Sequence, residues 1–180
     1  WPATPAPTPT SQVPPTRTPS AQATSPPTPC TLAPAESFAT AYAEGQIAER
    51  LGCPLGEADT TAAAFQPFEK GLMFWRDNEK TVYVLGTDGV WSRHGDTWNG
   101  SQPAYDATLT PPQGLQQPVR GFGKVWREQL GGPQAAIGWA LTEEQGYELL
   151  TKSFAGGQMF LGPRGKTYVL YKDRTWDSGK

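Results

Sequence analysis

Apolar positions between residues 72 and 85 come in two short runs, Leu72-Met73-Phe74-Trp75 and Val82-Tyr83-Val84-Leu85, separated by the wholly polar Asp77-Asn78-Glu79-Lys80. Short apolar, aromatic and β-branched runs bounded by turn residues predict strands, here a hairpin of Leu72–Arg76 and Thr81–Leu85. The same layout returns downstream, where Gly157–Leu161 and Thr167–Tyr171 flank Gly162-Pro163-Arg164-Gly165. In front of each hairpin stands an aromatic pair four residues apart, Phe38 with Tyr42 and Phe122 with Trp126, a spacing that puts both rings on one face of a short helix. Gly131-Gly132-Pro133 ends the second of these helices, and Asp88-Gly89 and Asp173-Arg174 mark turns after the hairpins.

The two stretches agree residue by residue. Leu51-Gly52 matches Ile137-Gly138, Phe68 matches Phe154, Gly71 matches Gly157 and Met73-Phe74 matches Met159-Phe160. One residue is then lost, and Tyr83-Val84-Leu85 meets Tyr168-Val169-Leu170, Asp88 meets Asp173 and Trp91 meets Trp176. Self-similarity of this kind marks a supersecondary unit that buries its apolar face against its copy. The predicted fold is β-rich α+β: two pseudo-equivalent repeats, each a short helix plus β-hairpins, packed together behind an extended Pro/Thr-rich tail. The expected segments are a stalk over 1–35, repeat units over 36–91 and 122–180, and a connector over 92–121 rich in turn signals such as Asn99-Gly100 and Pro111-Pro112.

Composition separates the tail from the rest. The first 35 residues hold 11 of the 19 prolines with 8 Thr and 3 Ser, and their only aromatic and only charged side chains are Trp1 and Arg17. Such a stretch buries too little apolar surface to offset its ordering entropy and favours polyproline II. At about 3.1 Å per residue it reaches roughly 90 Å when extended. A plain linker, a mucin-like spacer O-glycosylated at Thr4, Thr8, Thr10, Thr16, Thr18, Thr24, Ser25 and Thr28, and an arm docking on another subunit all fit this composition. The start at Trp1 without Met suggests a processed or excerpted chain whose signal peptide or anchor has been removed.

The other 145 residues carry all 17 Asp and Glu and 14 of the 15 Lys and Arg, a net charge near −3. That balance lacks the clustered basic face that nucleic acid requires, so no nucleic-acid partner is expected. The apolar runs are far too short to span a bilayer, and no membrane insertion is expected. Cys30 and Cys53, with no histidine nearby, cannot form a four-ligand zinc site. They are expected to pair as a disulfide pinning the stalk to the first repeat; two free thiols are the alternative.

Ile137-Gly138-Trp139-Ala140, Gly131-Gly132 and Phe154-Ala155-Gly156-Gly157, with the weaker Leu51-Gly52-Cys53-Pro54 of the first copy, resemble the LGFP-type repeats of secreted bacterial proteins. The resemblance covers most of residues 36–176 and implies attachment at a cell wall or surface, often beside an enzyme rather than as one.

The search for chemistry yields little. His94 is the only histidine, and no serine or cysteine nucleophile motif accompanies it. Glu143-Glu144, and Glu57 with Asp59, are carboxylate pairs of the kind glycosidases use, but neighbours in sequence rarely converge on one bond. Asp88 and Asp173 occupy matching turns, as a structural demand predicts. Asn99-Gly100-Ser101 fits an N-glycosylation acceptor at Asn99 and equally an ordinary turn. Duplication sorts the tryptophans: Trp91 with Trp176 and Tyr42 with Trp126 recur and are expected in the core. Trp75, Trp98 and Trp139 do not recur, and together with Tyr171 they are the expected binding residues, with core packing or filling between the repeats as the other reading of these tryptophans. No cofactor or metal is expected. The composite expectation is a non-enzymatic extracellular structural or attachment protein, a subunit of a surface filament or envelope assembly whose partners are its own copies or cell-surface glycans. A carbohydrate-binding module is the first alternative, and a hydrolase using Glu143 or Glu144 is the second.

Overall fold

The computed structural model describes residues 30–179, so the O-glycosylation positions and most of the Pro/Thr-rich stalk lie outside the described residues. Two helices, α1 (Glu36–Ala43) and α2 (Ile47–Leu51), lead into four strands, β1 (Pro54–Phe68), β2 (Gly71–Arg76), β3 (Thr81–Gly86) and β4 (Trp91–Gly95). An irregular stretch and α3 (Arg120–Gln129) follow. The chain then runs through β5 (Gln145–Phe154), β6 (Gly157–Leu161), β7 (Thr167–Tyr171) and β8 (Trp176–Gly179). The fold is β-rich α+β: all eight strands form one antiparallel sheet in the order β4-β3-β2-β1-β5-β6-β7-β8, curled into a half-barrel.

The two hairpins lie where the apolar runs place them. Three further features differ from the expectation of two strands per unit. The stretches ahead of both hairpins, where no strand is predicted, are strands too: the 15-residue β1, which carries β5 on one side and β2 on the other, and β5 itself. The β1 sequence, with four alanines, two prolines and a glycine, has weak strand propensity, and pairing on both flanks overrides it. Beyond each predicted hairpin an additional strand, β4 or β8, completes a four-strand meander. The turn before β1 also closes as a second helix, α2.

The ends of the sheet meet. Val90 and Thr175 form an antiparallel bridge. The Trp91 amide donates to the Arg174 carbonyl at 2.8 Å and the Trp176 amide to the Gly89 carbonyl at 3.0 Å. The indoles repeat the exchange, Trp91 Nε1 donating to the Tyr171 carbonyl at 2.9 Å and Trp176 Nε1 to the Gly86 carbonyl at 2.8 Å. Two edges that would otherwise expose unpaired backbone are thereby tied at one end.

Alternate residues face inward, and Ala63, Phe74, Tyr83, Leu85, Leu149, Phe160, Tyr168 and Leu170 fill the half-barrel. Phe74 meets Phe160 and Tyr168 edge-on at 4.7 and 4.8 Å, an arrangement the ring quadrupoles favour. Arg76 enters this interior with 2 % exposure. It donates to Gln158 at 2.8 Å, pairs with Glu79 at 3.3 Å and lies over the rings of Tyr83 and Phe160. Glu79 also accepts from the Tyr83 hydroxyl.

The outer face is sealed crosswise. α3 packs on β2 and β3 through Phe122, Val125 and Trp126 against Met73, Val82 and Val84. α1 and α2 pack on the other meander through Phe38, Ala41, Ile47 and Leu51 against Phe154, Met159 and Val169. Each helical segment that precedes a meander in the chain therefore covers the other one, and a contiguous helix-plus-strands segment does not close on itself. The Cys30–Cys53 disulfide joins the residues ahead of α1 to the start of β1.

Burial pushes the phenols of Tyr83, Tyr147 and Tyr168 above their ordinary range and that of Tyr171 up to about 12, where Asp177 adds to the effect. A phenol kept neutral by the fold contributes stability that is complete below its unfolded pKa of 10.0 and is lost as pH rises toward its folded value. The denaturant midpoint is expected to fall between about pH 10 and 12, with tyrosinate absorbance from these four residues appearing only on unfolding. Four phenols ionising near pH 10 in the folded protein would contradict this burial.

Candidate functional site

On the outer face of the first meander lies a cavity of about 190 Å³ between β2, the turn after β4, the start of α3 and the residues ahead of β5. β2 turns Leu72, Phe74 and Arg76 inward, which leaves Trp75 on the outer face beside Ala64, and the Lys80 ammonium lies over its ring at 5.3 Å. The chain leaving β4 is held by the Asp96 amide, which donates to the Lys80 carbonyl at 2.7 Å. The Asp96 carboxylate then accepts the Trp98 amide at 3.0 Å. This is a local aspartate turn, and it places the second indole in the cavity wall.

The helical wall depends on a glycine. A Cβ on Gly121 would lie 2.7–2.8 Å from the Asp96 carboxylate atoms, so only glycine lets that carboxylate rest against the first turn of α3. Arg120, one residue earlier, is held in the left-handed region at φ 50° and donates its amide to the Ala104 carbonyl at 2.7 Å. A non-glycine residue there is strained, and such strain concentrates at functional positions. Its guanidinium pairs with Glu144 at 3.2 Å. Burial raises the Glu144 pKa; Arg120 opposes the rise and Asp96 adds to it. The indole N–H groups of Trp75 and Trp98 are both buried without a hydrogen-bond partner among the described residues.

Two of the four expected binding residues, Trp75 and Trp98, thus share one cavity, and the other two lie elsewhere. Trp139 is half-buried against Trp126 at 4.9 Å between ring centres, closing the first-meander core. Tyr171 is 2 % exposed under the Arg50 guanidinium, its hydroxyl donating to Asp177 at 3.1 Å. Glu143 is exposed, whereas Glu144 lines the cavity. His94 bonds to Ser92 and Gln129, and Asn99 is exposed and caps its own turn through the Ser101 amide. Asp88 and Asp173 make the same turn bond, to the amides of Val90 and Thr175. Among the described residues no three His, Cys, Asp or Glu side chains are grouped to hold a metal ion, and no helix is long and apolar enough to cross a membrane.

Asp96, Arg120 and Gly121 escape the sequence reading. The one local signal for Asp96 is its Asp-x-Trp spacing, which carries the turn that aims Trp98. None of the three belongs to the matched residues, the same signal that singled out Trp75 and Trp98.

No family model matches this chain, and neither the curated proteins nor the solved structures contain a match. The chemical content of the cavity therefore carries the functional argument. Two carboxylates, Asp96 and Glu144, accept hydrogen bonds, the Arg120 guanidinium donates them, and the side chains of Trp75, Trp98 and Phe122 supply apolar surface. The volume lies below the roughly 300–1,000 Å³ of sites that enclose drug-sized ligands, and suits a single sugar ring.

Proposed function

We propose that this chain is a non-enzymatic extracellular attachment module that holds a sugar residue of a surface glycan in the Trp75–Trp98 cavity. The observation that carries this reading is that two tryptophans, Trp75 and Trp98, line one small cavity together with Asp96, Glu144 and Arg120. A pyranose presents both an apolar C–H face and a ring of hydroxyls, which is what such walls complement. Glu144, paired to Arg120, acts in this reading as a charged acceptor rather than as an acid catalyst.

The scaffold is a duplicated unit. Tyr42 and Trp126, matched in sequence, donate to the carbonyls of the matched Gly52 and Gly138 at 3.0 and 2.8 Å. Both glycines take left-handed φ, 64° and 80°, at the joint where the likeness to LGFP-type repeats is centred. The reciprocal Trp91 and Trp176 bonds follow the same correspondence. Only the first meander carries the cavity, because Trp75, Trp98, Asp96 and Arg120 have no matching side chains in the second. The disulfide supports an oxidising, extracellular setting.

Gly121→Ala separates binding from folding. Alanine is the better helix former by up to about 1 kcal/mol, which offsets the weakened Asp96–Trp98 bond, so the variant is expected to stay folded within about 1 kcal/mol of the parent. The added methyl displaces the Asp96 carboxylate and with it the bond that holds the Trp98 amide, and calorimetric affinity for a saccharide such as N,N′-diacetylchitobiose is expected to fall about tenfold or more. Unchanged affinity would remove Asp96 and this cavity from recognition.

A further inference from the structure

The geometry points to a second binding site, beside the seam where the ends of the sheet meet, for a ligand carrying two or more negative charges on phosphate or carboxylate groups. It goes beyond the saccharide reading and does not depend on it. A cavity of about 430 Å³ lies there, between β4, the start of β1, the β5–β6 hairpin and the turn after β7, and its size is that of sites that enclose small ligands. Trp91 and Leu170 give it apolar surface, while Arg93, Lys172 and Arg174 line it with no Asp or Glu beside them. All three cations are exposed, and none makes an ion pair among the described residues. Asp173, between two of them in sequence, is turned to Arg50 at 3.1 Å and to the Thr175 amide and hydroxyl at 3.0 and 2.6 Å. By contrast, the cavities lined by Arg120, Lys70, Arg50 and Arg127 each contain an Asp or Glu as well. A cleft walled by one sign of charge focuses its field and gathers counter-ions, here on a chain whose net charge is −2.

The duplicated scaffold does not ask for these charges. In the register that matches Trp91 with Trp176, Arg93 corresponds to Ser178, Lys172 to Thr87 and Arg174 to Gly89. The last pair is the most informative. The turn needs a left-handed residue, which the first copy supplies as Gly89 at φ 79° and the second as Arg174 at φ 71°. A side chain is disfavoured in that region, and residues held there against their preference gather at ligand sites. Arginine thus stands where glycine meets the demand of the turn without strain, and what it adds is a guanidinium over the Trp91 ring, 4.8 Å from its centre, in the cavity wall. Two guanidinium forks and an ammonium all donate to oxyanion oxygens. One singly charged group would leave two of the three cations unneutralised, so the complementary ligand is multiply charged.

Calorimetry with pyrophosphate, citrate and acetate on the intact chain tests this, with Arg93→Ser and Arg174→Gly as variants. Each introduces the residue that the other copy carries at the matching place in the fold, and the two lie on different elements. Pyrophosphate or citrate is expected to bind the parent one to one and about tenfold or more tightly than acetate, the tighter of the two identifying the oxyanion. Each substitution is expected to weaken that binding about three- to tenfold, while Lys166→Thr, which removes the same charge outside the cavity, leaves it unchanged. Acetate binding as tightly as the other two overturns the requirement for multiple charge. An equal loss in Lys166→Thr overturns the site in favour of general attraction to the surface. Unchanged binding in both arginine variants, or failure of both pyrophosphate and citrate to bind the parent, overturns the inference outright.

Discussion

Trp126→Ala is expected to cost about 3–5 kcal/mol of folding stability, the range for truncating a fully buried large aromatic side chain. Trp126 has no exposed surface, packs on Trp139, and joins α3 to Met73, Val82 and Val84 of the first meander. Removing it opens a cavity under the helix and also strands the Gly138 carbonyl, which its indole serves at 2.8 Å. The loss extends to the site, because α3 presents Arg120 and Gly121 to the cavity. Urea unfolding measures the change as a lowered midpoint at constant slope. A loss below about 1 kcal/mol would mean that α3 does not seal the first meander.

The second large effect belongs to the disulfide. Cys30 and Cys53 are 23 residues apart, and a loop of that size restricts the unfolded chain by roughly 3 kcal/mol in the loop-entropy account. The enclosed segment contains α1 and α2, which pack on the second meander. Cys30→Ser with Cys53→Ser is therefore expected to lower the unfolding midpoint by that amount. Saccharide binding on the first meander should persist under conditions where the variant remains folded. An unchanged midpoint, or loss of binding in the folded variant, would contradict this division of labour. The first result would show that α1 and α2 hold their place without the tie, and the second that they support the cavity.

Sequence legibility followed the range of the interactions. Strands β2, β3, β6 and β7 were legible because apolar runs and polar turns are local signals, and both hairpins lie within a residue of their expected bounds. β1 was not legible: Ala58 to Ala64 has little strand character of its own and is extended because β2 and β5 pair with it. β4 and β8 are short and partly polar, and they are strands through β3 and β7. The crosswise placement of the helices has no local signature, since matched sequences predict equivalent contacts but not which copy supplies them. The cavity draws on residues from Ala64 to Glu144; its two unmatched tryptophans and Glu144 stood out in the sequence, whereas Asp96, Arg120 and Gly121 did not. Trp139, equally unmatched, fills space against Trp126, so lack of a counterpart marks difference between the copies and not function by itself.

Indole N–H resonances recorded during a chitobiose titration test the central claim most directly. Trp91, Trp126 and Trp176 commit this proton to the carbonyls of Tyr171, Gly138 and Gly86, while those of Trp75 and Trp98 have no partner among the described residues. Saturable shifts confined to Trp75 and Trp98 are the predicted result. Equal shifts across all the described tryptophans, or shifts that spare these two, would contradict a sugar site between them.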